Sequence, residues 1–546
     1  MRAKIELLFI PVVFALTIFV QCVLFHYLIY KEILLSSLWH SPIEFFRFYL
    51  PAATMAIFFS SFVFLFKNKW WTVAISMIFN IWIWANMWYF RSNGILVDKY
   101  AVTMIHNLNG FWDSILALIR PADFAFLCLT LLLAIFIYIF KSRGQKSIIT
   151  FAISMILSIV MGLANGMLLV IKYKGDWSYM NPFREIVHHY VKDYSVIHLL
   201  LLTGKECALF QEEDKYELTT QEINRTNQFI SIGSSPHNDD KALIICLIES
   251  LNSFVITEEI MPNLRNFIDS SNNILLCESI TSQIKGGGSA DGQMIIQSGL
   301  LPVEHGATCY RFAFNKYPAL PHILTNSAII YPHEPHVWNQ SRMSSAYGIT
   351  KDISDQSDND KDLFNMVIKQ SNYYQYVMMM TMSTHIPCTL IADSSYLSIL
   401  DSVPTLLRNY IKSVNVLDRG IKVFIDSLSH NKRLKNTTIV ITGDHCLPVP
   451  SDEDFGGAYG YSRFIPLIIY SPEIKQKTII TDTCYQMDIY PTILNLIGCE
   501  DYYWKGFGVN LLDSTARHNR PITPEEAYDL SDKIIRADYF RKFEEQ

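Results

Sequence analysis

Hydrophobic positions along this chain fall into two regimes. Before residue 172 they run in long, nearly unbroken stretches; from Lys241 onward they come in short runs separated by polar segments of helical period. The first regime holds five stretches, Leu7–Tyr30, Phe46–Phe66, Trp70–Phe90, Phe124–Phe140 and Ile148–Ile171. Each is predicted as a membrane-crossing helix, since a bilayer core takes roughly 20 apolar residues of helix. A buried soluble bundle does not fit, because too little polar face remains to meet water. Nor does a cleaved leader. The first stretch is too long for one, and no small-residue cleavage site follows it.

Past the last stretch, Asn181-Pro182 precedes Phe183, Ile186, Val187, Tyr190, Val191 and Tyr194. An N-cap, a Pro at the first helical position and an apolar stripe predict a helix. It lies along the membrane surface or in the core of the following domain. A polar connector, Glu206 to Asp240, carries a capping-box pattern from Thr219 to Glu222. The short runs then begin, with Ala242–Ile248, Tyr376–Met382, Thr438–Thr442 and Pro466–Tyr470 as the clearest strands. Alternation with helical segments predicts an α/β domain around a mainly parallel sheet. The expected division is 1–172 five-span anchor, 173–240 interfacial helix and linker, 241–515 catalytic domain and 516–546 C-terminal tail.

Charge orients the anchor. Arg2 and Lys4 precede the first stretch, Lys67 and Lys69 fill the turn between the second and third, and Lys141, Arg143 and Lys146 separate the fourth and fifth. Basic residues in short loops mark the cytoplasmic side. The opposite loops mix signs, with Lys31, Glu32 and Glu44 in one and Arg91, Asp98, Lys99, Asp113, Arg120 and Asp123 in the other. Five crossings then put everything after Ile171 outside the cytoplasm. Overall the chain is 18% charged, against about 25% for a soluble protein. Its net charge of −6 and the lack of a basic, aromatic-interleaved stripe exclude a nucleic-acid-binding reading. Eight of the ten cysteines lie in the external part. That compartment permits disulfides, but Cys246 and Cys446 read equally well as small buried residues, so no pairing is assigned.

Three segments carry chemistry. The run Ala242–Ile248 drives into Glu249-Ser250, and Thr438–Gly443 drives into Asp444-His445. Either set serves as caps and loop residues, or as an oxygen and nitrogen ligand set for a borderline divalent cation. The third is Gly286-Gly287-Gly288-Ser289-Ala290-Asp291-Gly292. It is either a flexible loop capped by Ser289 or a hydroxyl presented at a helix start, where the N-terminus favours phosphate. Serine is a weak nucleophile until a base or a metal activates it.

At this point the order of motifs resembles a known family. Glu249-Ser250, Ser289 followed by x-Asp, Trp338-Asn339, Ser383-Thr384-His385-x-Pro, Thr442-Gly-Asp-His, Arg463-Phe-Ile-Pro and Gln486-x-Asp-Ile-Tyr-Pro-Thr resemble the lipoteichoic acid synthase branch of the alkaline phosphatase/sulfatase superfamily. The likeness runs from about Lys241 to Leu512, and the five-span anchor fits that branch. It implies a sulfatase-like extracytoplasmic domain with one catalytic divalent cation, manganese first, zinc or magnesium otherwise. Its ligands are Glu249, Ser289, Asp444 and His445, with Ser289 as nucleophile where the synthases have threonine. His385 matches the histidine on the substrate phosphate, and His333, Trp338 and Asn339 fall in the rest of the phosphoglycerol pocket. The synthases carry arginine after Trp-Asn, where this chain has Gln340; Arg342 is the substitute, although a shifted guanidinium is not equivalent in reach. Asp488 reads as a helix cap and stays outside the site.

The resemblance implies transfer of phosphoglycerol from phosphatidylglycerol, through Ser289, to a glycan, lipid or polymer acceptor. Phosphoethanolamine transfer to a lipid sugar uses the same machinery and is the alternative. A sulfatase or phosphatase fits less well, since Ser289-Ala-Asp-Gly-Gln lacks the Pro and Arg of the sulfatase motif. A binding module without turnover is the non-enzymatic reading.

Overall fold

The computed structural model describes residues 2–29, 42–93, 96–97, 116, 118–140, 147–172, 175, 177–180, 216–231, 241–324, 326–355, 360–388, 403–431, 433–448 and 462–543. The helix expected over 181–194, the basic loop 141–146 and much of the connector 206–240 lie outside these residues. The chain forms two compact units, one of N-terminal helices and one built on a sheet.

The helical unit contains α1 (Arg2–Ile29), α2 (Pro42–Ser61), α3 (Trp71–Asn93), α4 (Ala125–Ile139) and α5 (Ile148–Lys172). Among the described residues, four segments are long and apolar enough to cross a membrane: Phe9–Ile29, Trp71–Arg91, Pro121–Ile139 and Ile148–Ile171. The apolar helical stretch Tyr49–Phe64, which begins in α2 and ends just past it, is shorter, so five crossings are not established by length and composition. Apolar side chains face outward along α4 and α5, with Ile135, Ile139, Ile149 and Ile156 exposed. Several buried polar groups pair inside. Gln21 Nε2 of α1 donates to Asn80 Oδ1 at 2.6 Å and Ser76 Oγ at 3.0 Å on α3, and Ser76 shares a 2.7 Å bond with Thr130 of α4. Arg91 and Asp123, which the sequence placed among loop charges, form a buried two-pronged pair at 2.7 and 2.8 Å. The indole N–H of Trp88 also donates to Asp123, at 3.1 Å. Burial without such partners is too costly for either charge.

The second unit is built on nine strands: β1 (Ala242–Ile248), β2 (Ile274–Thr281), β3 (Ser327–Tyr331), β4 (Lys351–Ser354), β5 (Tyr376–Met380), β6 (Thr437–Gly443), β7 (Ile465–Tyr470), β8 (Thr478–Ile480) and β9 (Cys484–Tyr485). Their order is β4-β3-β5-β1-β6-β7-β2-β8, with β9 also on β2. All pairings are parallel except those of β7, which runs against both β6 and β2. The sheet is therefore mixed, with one reversed strand. The central strands read as continuous apolar runs because both faces are covered; β5 and β6 are buried at every position. The longer helices of the unit are α6 (Thr220–Asn227), α7 (Pro262–Ser270), α8 (Ser289–Ser298), α9 (Asp360–Gln370), α10 (Thr405–His430), α11 (Ile489–Leu496) and α12 (Pro524–Arg536), with short ones at Thr308–Arg311, Gln340–Ala346 and Ser514–His518.

The stretch 516–546 named as a tail is folded against this unit through residue 543. Ser531 of α12 bonds both ways with Leu301. Arg520 grips Asp488 at 2.6 and 2.7 Å. Asp488 also accepts from the Tyr485 N–H, closing the capping box of the short 3-10 turn Gln486–Asp488; its side chain makes no cap bond to Ile489–Leu496, the helix it was expected to cap.

Candidate active site

Parallel neighbours β5, β1 and β6 end at one edge, and the polar residues of interest follow directly. Glu249 comes after β1, Asp444 and His445 after β6, and Thr381 to His385 after β5. Crevices at that edge are where open α/β sheets bind ligands. Ser289 arrives from a different direction, at the first turn of α8 beyond the glycine loop. Gly288 has φ +51°, a left-handed setting that glycine takes without strain.

These residues converge. The Ser289 hydroxyl donates to Glu249 Oε2 at 2.9 Å and lies 3.3 Å from His445 Nε2. His445 Nε2 is 3.6 Å from Glu249 Oε1 and 3.5 Å from Asp444 Oδ2. All four side chains are buried. Glu249 is braced by its own N–H, which donates to Thr381 Oγ1 at 3.0 Å, and by Thr384, whose hydroxyl donates to the Glu249 carbonyl. Asp444 Oδ1 accepts from the N–H groups of Ser250 and His445, at 2.8 and 2.7 Å.

The donor set fits a cation. One ligand atom from each of Glu249, Asp444 and His445 lies within 4.8 Å of the others. Two ligand atoms about 2.1 Å from one ion at a tetrahedral angle sit about 3.4 Å apart, close to the spacing around His445 Nε2. Tautomer chemistry agrees. His445 Nδ1 lies 2.8 Å from the Cys446 carbonyl, which can only accept, so Nδ1 carries a proton and neutral Nε2 turns its lone pair toward the carboxylates. Lone pairs from three side chains then face one another, and either protons or a cation must intervene. Without a cation, protons do so. Burial, then the Glu249 charge, pushes the Asp444 carboxyl up to about 7. Burial opposes charge on His445, but Asp444 and Glu249 outweigh it and raise its pKa. Burial also opposes ionisation of Glu249, yet His445 and His385 hold it at about 2.

The other sequence-derived residues are distributed unevenly. His385 Nδ1 bonds the Ile386 carbonyl at 2.8 Å, so Nε2 is the atom it presents, and its charge is felt at Glu249. His333 follows β3 in the same manner, Nδ1 on the Glu334 carbonyl at 3.0 Å; its buried Nε2 has no partner, and burial lowers its pKa. Trp338 lies beside Gly288, close enough that an added Cβ there would sit 3.7 Å from its ring. Trp338 and Asn339 both have left-handed φ, +51° and +53°, a strained pair of the kind found at ligand clamps. Asn339 Nδ2 is spent on the Cys309 carbonyl at 3.0 Å. Arg342 is exposed and stacks over Phe314, 4.5 Å from the ring centre. Gln340, in place of the synthases' arginine, is buried and bonds Ser344 within its own helix.

Sequence reasoning missed the supports. Thr381 and Thr384 bond the Glu249 backbone, and Asp291 bonds the glycine loop. Asp291 is fully buried, pushed up to about 7 by that burial, and holds the glycine loop by accepting from Gly287 N at 2.8 Å and Lys285 N at 3.0 Å. The only signal was its place two residues after Ser289.

Mixed sheet, apolar helices and this rim cluster agree with the comparisons. A family model described as Sulfatase matches residues 304–499. The model of the lipoteichoic acid synthase N-terminal domain matches residues 1–175. Lipoteichoic acid synthase 2 of Bacillus subtilis (strain 168) is 23% identical over 86% of this chain and 78% of that protein. The lipoteichoic acid synthase of Staphylococcus aureus is 21% identical over 86% and 79%. Among solved structures, the lipooligosaccharide phosphoethanolamine transferase EptA from Neisseria meningitidis is similar in fold, with a TM-score of 0.51 and 12% identity over 89% of this chain and 95% of that one. In both parts the chain is lipoteichoic acid synthase-like, and the relatives it resembles are phosphotransferases of the alkaline phosphatase/sulfatase superfamily.

Proposed function

We propose that this enzyme transfers phosphoglycerol from phosphatidylglycerol, through a covalent intermediate on Ser289, to a glycan, lipid or polymer acceptor outside the cytoplasmic membrane. The observation that carries the reading is the Ser289 hydroxyl donating to Glu249 at 2.9 Å, beside Asp444 and His445. The names of the curated relatives, lipoteichoic acid synthases, support the choice of donor.

Glu249, Ser289, Asp444 and His445 would hold one divalent cation, manganese in preference to zinc or magnesium, which when bound lowers the serine pKa and offsets phosphoryl charge. Ser289 Oγ forms a bond to phosphorus as the bond from phosphorus to the diacylglycerol oxygen breaks. The serine proton is already directed at Glu249 Oε2 and passes there. The departing oxygen takes a proton from His385 Nε2. In the second half, the acceptor hydroxyl gives its proton to His385 as its oxygen attacks phosphorus, and Ser289 recovers its own from Glu249. His333 and Trp338 line the pocket for the glycerol end, while Asn339 is turned to the Cys309 carbonyl and Arg342 to Phe314. Five crossings, with the N-terminus cytoplasmic, put this machinery beside the outer leaflet that supplies the lipid.

Two measurements test this. Purified full-length enzyme with manganese should release diacylglycerol from labelled phosphatidylglycerol; label taken only from phosphatidylethanolamine would overturn the donor. Ser289→Ala should lower that release by at least about 10³-fold, and mass spectrometry of the wild type should find a glycerol phosphate adduct on Ser289.

A further inference from the structure

We infer that Gln486 is a positioning residue that locks the loop carrying Ser289 to the loop carrying Asp444 and His445, and so sets the separation of nucleophile and ligands. The inference rests on the reading of Ser289 and Asp444 given under the proposed function.

Gln486 follows β9 and is completely buried. Its amide is used at both ends. Nε2 donates to the Asp444 carbonyl at 2.8 Å, and Oε1 accepts from the Gln283 N–H at 3.0 Å. Gln283 reciprocates, its Oε1 accepting from the Met487 N–H at 2.9 Å. The Asp444 carbonyl belongs to the peptide that joins Asp444 to His445, so a bond to it restrains two candidate ligands at once. Gln283 opens the segment that runs through the three glycines into Ser289. The same Asp444 carbonyl is pressed from the α8 side by Gly292, where an added Cβ would sit 2.5 Å from it. One peptide is thus held between α8 and the Gln486 side chain.

A terminal amide fits this position. The Asp444 carbonyl needs a donor and the Gln283 N–H needs an acceptor, which Gln supplies on one planar group. Ionised Glu keeps the acceptor alone, and Met keeps the length and neither. Partners that orient metal ligands from outside the coordinating set typically change metal affinity or activity by 10–100-fold.

The test uses full-length protein carrying Gln486→Met or Gln486→Glu, with Ser289→Ala in parallel. Three quantities are read per mole of folded protein: manganese affinity by titration calorimetry, the single-turnover rate of diacylglycerol release, and KM for phosphatidylglycerol. Both Gln486 variants should bind manganese roughly 10-fold more weakly and react roughly 10–100-fold more slowly, with KM changed by less than about threefold. A purely structural role would lower yield and melting temperature but leave these per-molecule values intact, and that result overturns the inference. If Gln486→Met does not fold, Gln486→Glu, which preserves volume and the oxygen facing Gln283, is judged on the same criteria. Wild-type values in a Gln486 variant alongside an inactive Ser289→Ala sink the positioning role alone; an active Ser289→Ala sinks the nucleophile reading instead.

Discussion

Gly292 has only hydrogen where another residue would carry a Cβ, and the backbone of Asp444 occupies that space. An alanine there would bring its methyl to 2.5 Å from the Asp444 carbonyl oxygen. The obstacle is backbone, held from the other side by Gln486, so it cannot rotate away. Gly292→Ala must therefore shift α8, which carries Ser289, or displace the peptide between Asp444 and His445. Overpacking of this kind costs about 1–3 kcal/mol, and we expect the thermal unfolding temperature to fall accordingly. Activity should fall further than stability. The displaced groups are the reacting ones, and misplacement by about 1 Å costs on the order of 100-fold. Diacylglycerol release per mole of folded protein checks this; a variant that loses stability but keeps its rate would show that α8 has freedom to move without cost.

Among the elements, α6 shows how a local pattern reaches beyond itself. Thr219 and Glu222 form the capping box its sequence announces, with Glu222 accepting from the Thr219 N–H at 2.8 Å. The same carboxylate takes Lys533 of α12 at 3.0 Å. Burial works against its charge, but the Thr219 N–H and Lys533 outweigh it and hold Glu222 at about 2, below the ordinary value of about 4.3. A depressed folded pKa stabilises above the unfolded value and is lost as pH falls through the folded one. Glu222→Gln should therefore unfold at a lower temperature than wild type at pH 7, with a loss of about 1 kcal/mol typical of a cap. The gap should narrow between about pH 4 and pH 2 and then close. A constant gap down to pH 2 would mean that the loss comes from shape and not charge. That capping box was legible because its signal is local. So was β1, whose unbroken apolar run from Ala242 to Ile248 stops at a carboxylate. The second strand was not: Glu278 and Ser279 interrupt its apolar pattern, and the register of β2 shifts between Cys277 and Ile280. Ligand chemistry just past strand ends stood out at Glu249, Asp444 and His445. Gln283 and Gln486 did not, because their meaning lies in a pairing 203 residues apart that no local pattern encodes.

For the whole molecule, the number of crossings decides which side of the membrane the sheet-bearing unit occupies. Among the described residues, four helices qualify on length and composition, and the stretch Tyr49–Phe64 around α2 falls short. Yet α2 itself is 20 residues long, a rise of about 30 Å at 1.5 Å per residue, which matches the hydrocarbon core. The ends of the bundle are also consistent with a crossing. Lys69, in the turn after α2, donates to the Phe140 carbonyl at the end of α4 at 2.9 Å, and the Ser147 N–H before α5 bonds the Phe64 carbonyl at 2.9 Å. Those chain ends therefore share one side, the side that collects the basic residues. Were α2 not a crossing, the count would be even and residues beyond α5 would share the side of the N-terminus. Cysteine labelling separates the two arrangements. Tyr373, 67% exposed on the sheet-bearing unit, and Asn68 in the turn after α2 are the positions to use. With a membrane-impermeant maleimide on intact cells, Tyr373→Cys should label above the wild-type background. Asn68→Cys should label only after permeabilisation. Protection of Tyr373→Cys in intact cells would make the count even, place Ser289 on the cytoplasmic face, and remove the outer-leaflet lipid as donor.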